Sequence, residues 1–383
     1  MKNQSFSAFK ITIFIVFVLI MSCNKSPKEE THTQMELLKK YMPAQMADDV
    51  VKVAVVSNIG DNADERSFIN GCVLEGESLG FIVDVFPTNA DPLKCQEVVD
   101  RIVKSGYDGL ILSHGGPGYT YNFLKKVTDN GIKVVTFNSY PYFVSLGVKR
   151  GDILWGVTST LQQDEELAFL SLQSLIDSFP KEKRPIKVIR AWIGPGILSF
   201  EKYQKIYNQF VKEGKIEEVG SISQVAGSNT MFDDAKNALN ELLKTLPENS
   251  IDAIWASYNE LAKGCLKTLD LTRQANIKMS SIGGISDDDI ELMRSHPNSW
   301  LSTASTNLSL IGAVNMRLLA AKFVGEETPK EFYFRCFLIE TFRLNESNMD
   351  MSNISLIYPE WTQIKGMYNH YPWMDDIKST KSQ

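Results

Sequence analysis

Val51-Lys52-Val53-Ala54-Val55-Val56, then the amphipathic segment Asp64–Leu79, then Phe81-Ile82-Val83-Asp84-Val85-Phe86: this succession decides the architecture. Two short β-branched runs flank a segment whose apolar positions recur at helical spacing. That is one βαβ unit, and near-continuous apolar strands mean a parallel sheet covered on both faces. Outward from it, strand runs follow at Gly109–Leu112, Lys133–Phe137 and Ile153–Val157. Helical segments lie between them at Pro92–Ser105 and Tyr119–Asn130, with Leu161–Phe179 after the last. In the first of these, Val98-Val99 and Ile102-Val103 share a face, and Gly106 supplies the stop.

The pattern then starts again. Strand runs recur at Lys187–Ile193, Ile216–Val225, Ala253–Ala256, Met279–Ile282 and Leu301–Ser305. Helical segments separate or follow them at Phe200–Lys212, Asp233–Leu246, Glu260–Leu271, Ser286–Ser295 and Leu308–Val324. Two such sets predict an α/β protein of two doubly wound parallel-sheet lobes. Pro180–Pro185 between them is a charged turn, not a flexible spacer. The stretch Asn345–Gln383 lacks a period but carries Tyr358, Trp361, Tyr368, Tyr371 and Trp373, too many aromatics for a disordered tail. It is expected to wrap a domain surface.

At the other end, Lys2 and Lys10 precede the apolar run Ile11–Met21, and polar residues Asn24–Thr33 follow Cys23. The run falls short of the roughly 20 residues needed to cross a bilayer, and the arrangement is that of an export leader. Leu19-Ile20-Met21-Ser22-Cys23 resembles a bacterial lipobox. The resemblance implies cleavage before Cys23, lipidation of its thiol and an extracytoplasmic, membrane-anchored protein, with residues 24–49 as a polar tether. The alternative is an ordinary secretory signal that contains a cysteine.

Cys72, Cys95, Cys265 and Cys336 show no disulfide framework and no zinc spacing, so they read as buried apolar side chains. A net charge of −6 argues against nucleic acid as a partner. The search for chemistry is largely negative. Ser113-His114-Gly115-Gly116-Pro117-Gly118 lies between a strand and a helix but lacks phosphate-loop or dinucleotide spacing, leaving a tight turn that admits a ligand closely. Ser286-Asp287-Asp288-Asp289 reads as a helix cap with acidic residues against the dipole. Asp61-Asn62-Ala63-Asp64-Glu65 sits at the end of the first strand, where open α/β sheets bind ligands; Asp64 either caps the helix or contacts a ligand. No catalytic triad or metal set is legible, so no enzyme, cofactor or metal is expected.

The order and spacing of Val51–Asn58, Phe68-Ile69-Asn70-Gly71, Tyr107-Asp108-Gly109-Leu110-Ile111-Leu112, Gly131–Asn138 and Ile251–Gly264 resemble the type I periplasmic binding proteins. Within these, the likeness is to the ribose-like sugar-binding group that serves ATP-binding-cassette importers. The resemblance implies two lobes closing over a ligand, joined by crossings near Thr158–Thr160, Ser305–Asn307 and Arg335–Phe337. Residues 50–159 plus 307–335 would form one lobe, and 160–306 plus 336–344 the other. It implies a monomer that docks on a permease, or the same fold used as a sensor for a receptor kinase or chemoreceptor. Its cleft residues would be Asn62, Asp64, Glu65, Ser113, His114 and Asn138 on the first lobe. On the second they would be Trp192, Phe200, Tyr258, Asn259 and Gly284, with Ser159 and Thr306 at the crossings. Trp255, mid-strand, belongs to the core. The chain departs from the family pattern in carrying Asn138-Ser139 for Asp-Arg, Phe200 and Lys202 for arginines, Gly284 for an aspartate, and Asp64-Glu65 for paired aromatics. Carboxylates gained and arginines lost disfavour an anionic ligand and allow a neutral polyol, a cyclitol or a cation.

Overall fold

A computed structural model describes residues 40–42, 46, 50–59, 62–89, 91–116, 118–139, 157–194, 197–224, 230–248, 250–346, 349–363 and 371–381. The leader, Cys23 and most of the tether lie outside the described residues. Among the described residues, no helix is long and apolar enough to cross a membrane.

The described residues form two six-stranded sheets. The first contains β1 (Lys52–Ser57), β2 (Ile82–Pro87), β3 (Gly109–Ser113), β4 (Lys133–Phe137), β5 (Thr158–Gln162) and β11 (Glu331–Phe334). Their order is β11-β5-β4-β3-β1-β2, all parallel. The second contains β6 (Ile186–Ile193), β7 (Ile216–Gln224), β8 (Ala253–Ala256), β9 (Lys278–Ile282), β10 (Trp300–Ser305) and β12 (Phe337–Glu340). Its order is β12-β10-β9-β8-β6-β7, and only β12 runs antiparallel.

Helices cover both faces. Those of the first lobe are α1 (Ala63–Ser78), α2 (Pro92–Lys104), α3 (Thr120–Asp129) and α9 (Leu308–Phe323). Those of the second are α4 (Asp164–Asp177), α5 (Leu198–Lys212), α6 (Met231–Thr245), α7 (Asn259–Thr272) and α8 (Asp287–Ser295). Central strands are buried on both sides, as in Val53, Ala54, Val55 and Val56 of β1, all fully buried. Val53 and Val55 pack towards Phe68 and Cys72 of α1, whereas Ala54 and Val56 pack towards Val99 and Ile102 of α2. Helices α1 and α2 therefore lie on opposite faces, and Cys72 and Cys95 are free buried thiols.

The chain passes between sheets after β5, after β10 and between β11 and β12. Four residues of the expected strand Ile153–Val157 lie outside the described residues. The strand present here is β5, so the first passage follows Gln162 rather than falling at Thr158–Thr160. Past α10 (Thr341–Glu346) the tail makes two short 3-10 turns, at Ile354–Leu356 and Pro359–Thr362. It ends in α11 (Pro372–Lys381), a helix where the sequence shows no period. Ile354, Tyr358 and Trp361 join the core of the second lobe, and Met374 joins that of the first.

Candidate functional site

In each lobe the parallel strands present their C-terminal ends to the other lobe, the position at which open α/β sheets hold ligands. Between these ends lies a cleft of about 740 Å³, open to solvent at its mouth. The first lobe supplies Ile59, Asn62, Asp64, Glu65, Phe68, His114 and Phe137. The second supplies Ile193, Phe200, Tyr203, Met231, Tyr258, Ile282 and Gly284, with Gln162, Thr306 and Leu308 beside the passages.

The lobes touch across it. Gly284 N–H donates to Asp64 Oδ2 at 2.9 Å, and Asn138 Nδ2 donates to Ser199 Oγ at 3.3 Å. Thr306 Oγ1 donates to Gln162 Oε1 at 3.2 Å, while Gln162 Nε2 donates to Tyr203 Oη at 3.2 Å. Asp64 does not cap α1. Asn62 does, its Oδ1 accepting from Glu65 N at 2.9 Å, which frees the next acidic pair to face the cleft.

Glu65 is buried and Asp64 half-buried. Burial raises Asp64 to about 7, partly offset by the Gly284 N–H; Asp289 and Glu260 add to the rise and Lys263 opposes it. Burial likewise raises Glu65 to about 7, against the hydroxyls of Ser57 and Ser113, with Asp64 adding to the rise. Ser113 Oγ donates to Glu65 Oε2 at 3.1 Å, but Glu65 Oε1 has no hydrogen-bond partner. His114 Nδ1 lies 3.7 Å from Glu65 Oε2, and burial lowers its pKa to about 4, so the ring is neutral at physiological pH.

His114 sits at φ 54° and Asn138 at φ 45°, left-handed conformations that cost energy away from glycine. Their surroundings hold them there. Asn58 Nδ2 donates to His114 O, and Asn138 Oδ1 accepts from Gln162 N at 3.0 Å. Aromatic rings form the opposite wall, with Phe200 edge-on to Tyr203 at 5.7 Å and to Tyr258 at 6.5 Å.

Of the residues expected in the cleft, Asn62, Asp64, Glu65, His114, Phe200, Tyr258, Gly284 and Thr306 line it. Five others stand behind its surface. Ser113 holds Glu65, and Asn138 bridges to Ser199. Asn259 donates to Gly284 O at 2.7 Å and accepts from Ser281 and Thr303, so it shapes the loop rather than facing the cleft. Ser159 is mid-strand and buried, accepting from Thr136, because β5 runs on to Gln162. Strand alternation sends Ile193 to the cleft and turns Trp192 away, under the Arg190 guanidinium at 4.6 Å. Among the described residues of the run Ser113–Gly118, only His114 lines the cleft. Trp255 is fully buried and donates to Ser171 Oγ. Ser286 and Asp289 form a reciprocal cap on α8. Among the described residues, no cluster of three His, Cys, Asp or Glu side chains could hold a metal.

Sequence reading missed Gln162, Ser199, Tyr203 and the apolar wall of Phe68, Phe137, Ile193, Met231 and Leu308. Apolar residues in strands and helices carry no mark that separates a cleft lining from a core.

Comparison with known proteins agrees with this geometry. Residues 53–327 match the model of the periplasmic binding protein domain. A structure described as a sugar ABC transporter from Yersinia enterocolitica is 31% identical, covers 88% of this chain and 98% of its own, and superposes with a TM-score of 0.78. The 5-methylthioribose transporter solute-binding protein of Thermotoga lettingae is 21% identical over 89% of this chain and 98% of its own, with a TM-score of 0.74. The arabinose-binding component from Shewanella sp. ANA-3 is 14% identical over 83% of this chain and 98% of its own, at a TM-score of 0.64. The last two share the fold. No curated protein matches the chain in sequence. Two doubly wound lobes, a cleft between their strand ends and a domain match across most of the chain lead to one assignment: the chain belongs to the periplasmic binding protein family, extracytoplasmic binding components rather than enzymes.

Proposed function

We propose that this protein is a lipoprotein, anchored through Cys23, that captures a sugar or sugar-like solute and delivers it to an ABC importer. The observation that carries the reading is the cleft walled by both lobes, which buries a solute only when the lobes meet. Stacking rings at Phe200 and Tyr258 suit the apolar face of a sugar, and Asn62, Glu65, His114 and Thr306 suit its rim of hydroxyls. A solute that contacts both lobes binds the closed form more tightly and so shifts the equilibrium towards it. The 31% identical Yersinia protein, described as a sugar transporter, supports the class, and the leader ending at Cys23 supports the anchor.

The test is thermal unfolding of the purified full chain against monosaccharides, polyols, cyclitols, nucleosides and amines. A solute at about 100 times its dissociation constant adds roughly 2.7 kcal/mol, a clear rise in melting temperature. A flat response after removal of any co-purified solute sinks the reading. Cys23→Ser is expected to move the protein from the membrane fraction to the soluble one.

A further inference from the structure

We infer that the captured solute carries a positive charge: it is an amino-substituted sugar, polyol or cyclitol, whose ammonium group pairs with Glu65 and Asp64. The inference rests on the sugar-like reading above and narrows it.

The first observation is an orphan. Glu65 is 2% exposed and lines the cleft; Ser113 donates to its Oε2 and the Ser57 hydroxyl lies beside it, but its Oε1 accepts no hydrogen bond of good geometry. A buried carboxylate oxygen left unpaired is costly, and such an acceptor on a residue that lines the cleft suits a donor from the solute.

The second observation is the charge around it. Among the described residues no lysine or arginine lines the cleft. His114, the one basic ring there, is buried against Phe137 and Ser113 rather than exposed to charge stabilisation by water. The lysine that acts on Asp64 is Lys263 on α7, already engaged by Glu260 at 2.7 Å and by Asp289 of α8 at 3.0 Å. Lys263 thus acts on three carboxyls, those of Asp64, Glu260 and Asp289. Cys72, Tyr203 and Tyr258 also interact with Glu65 or Asp64, and none supplies positive charge.

A hydroxyl from a neutral sugar would satisfy the orphan oxygen but leave the carboxyl pair without a counter-charge inside walls of Phe68, Phe137 and Leu308. Buried charges need partners, and the alternative is that the carboxyls take up protons. An ammonium satisfies the oxygen and the charge together. It meets a charge-assisted acceptor at Glu65 on the α1 side, while Asp64 remains bonded to Gly284 and keeps the lobes together. Protons and the cation then compete for the same oxygens. Since burial holds both carboxyls near 7, affinity for the cation rises as the pH climbs from about 6 to about 8, and binding releases protons to the buffer.

The experiment is calorimetric titration of the full chain with matched pairs: 1-amino-1-deoxysorbitol against sorbitol, 1-amino-1-deoxyribitol against ribitol, and an amino-deoxyinositol against inositol. In at least one pair the amine is expected to bind roughly tenfold or more tightly, with affinity growing over that pH range and heats that depend on the buffer. Glu65→Gln keeps the shape and is expected to weaken the amine more than its neutral partner, so that the advantage is lost. The pH profile of the unaltered protein stands even if the variant fails to fold. Neutral members binding as tightly as their amines, or affinity that falls as pH rises, would overturn the positive charge and leave the sugar-like reading intact. Binding by neither amine nor neutral member, here or among the monosaccharides, would overturn both.

Discussion

Gly284 is a glycine for want of room. Its backbone does not need the left-handed region, but a Cβ there would stand 2.4 Å from Asp64 Oδ1 and 2.7 Å from Leu308 Cδ1. Asp64 and Leu308 belong to the opposite lobe, so the obstruction exists only when the lobes meet. The facing lobe supplies a carboxylate here, and the Gly284 N–H donates to it. Gly284→Ala is therefore expected to spare the separate lobes and penalise the closed form. At about 1–3 kcal/mol for overpacking, solute affinity falls roughly 5- to 150-fold while the melting temperature without solute stays near its original value. Titration and thermal melting together check this; a melting temperature that falls with the affinity would mean that Gly284 serves folding instead.

The closest meeting of elements is that of α1 and α9, which cover the first sheet on the face that carries Val53 and Val55. An added Cβ at Gly71 would lie 2.0 Å from Ser309 O, and one at Gly312 would lie 2.1 Å from Phe68 O. The two helices cross with their backbones almost in contact, and rigid backbone cannot yield as a side chain does. The crossing also sets the site, because Phe68 and Leu308, one on each helix, both line the cleft. Gly312→Ala is expected to destabilise the protein by about 1–3 kcal/mol or more, read as a lower urea midpoint. An unchanged midpoint would show that the helices can separate freely. At the other end of the same pair, Glu75 of α1 receives Arg317 Nε of α9 at 2.6 Å and Lys378 of α11, which pins the terminal helix. Burial would push the Glu75 carboxyl up, but these two cations outweigh it and hold it below its usual range.

Across the whole molecule the C-terminal segment serves both lobes. Tyr358 and Trp361 pack with Phe337 on the second lobe, the rings of Phe337 and Trp361 being 5.0 Å apart. Asn307, at the second passage between sheets, donates to Trp361 O at 2.9 Å while its Oδ1 caps α9. Met374 and Ile377 are buried, and Met374 packs on the first lobe. Trp361 thus stands beside the hinge, and its removal acts on stability and closure together. Trp361→Ala is expected to cost about 3–5 kcal/mol and to change solute affinity as well. Chemical denaturation with parallel titration tests it; lost stability with unchanged affinity would reduce Trp361 to a core residue.

Repeating βαβ periodicity makes the two sheets legible in the chain itself. Most strands and helices from β1 to α9 lie within a few residues of where the alternation of apolar runs puts them, because local hydrophobic spacing and tertiary burial agree there. The loops at strand ends are legible too, so Asp64, Glu65, His114 and Gly284 can be read as cleft residues from topology alone. What the periodicity leaves open is what happens between lobes. That Asn62 rather than Asp64 caps α1, that Asp64 reaches Gly284, that Gln162 rather than Ser159 stands at the passage, and that α11 is a helix all depend on contacts between residues distant in sequence. Side-chain direction at a strand end, and the room left between two closing surfaces, exist only once the lobes are packed, and no local pattern encodes them.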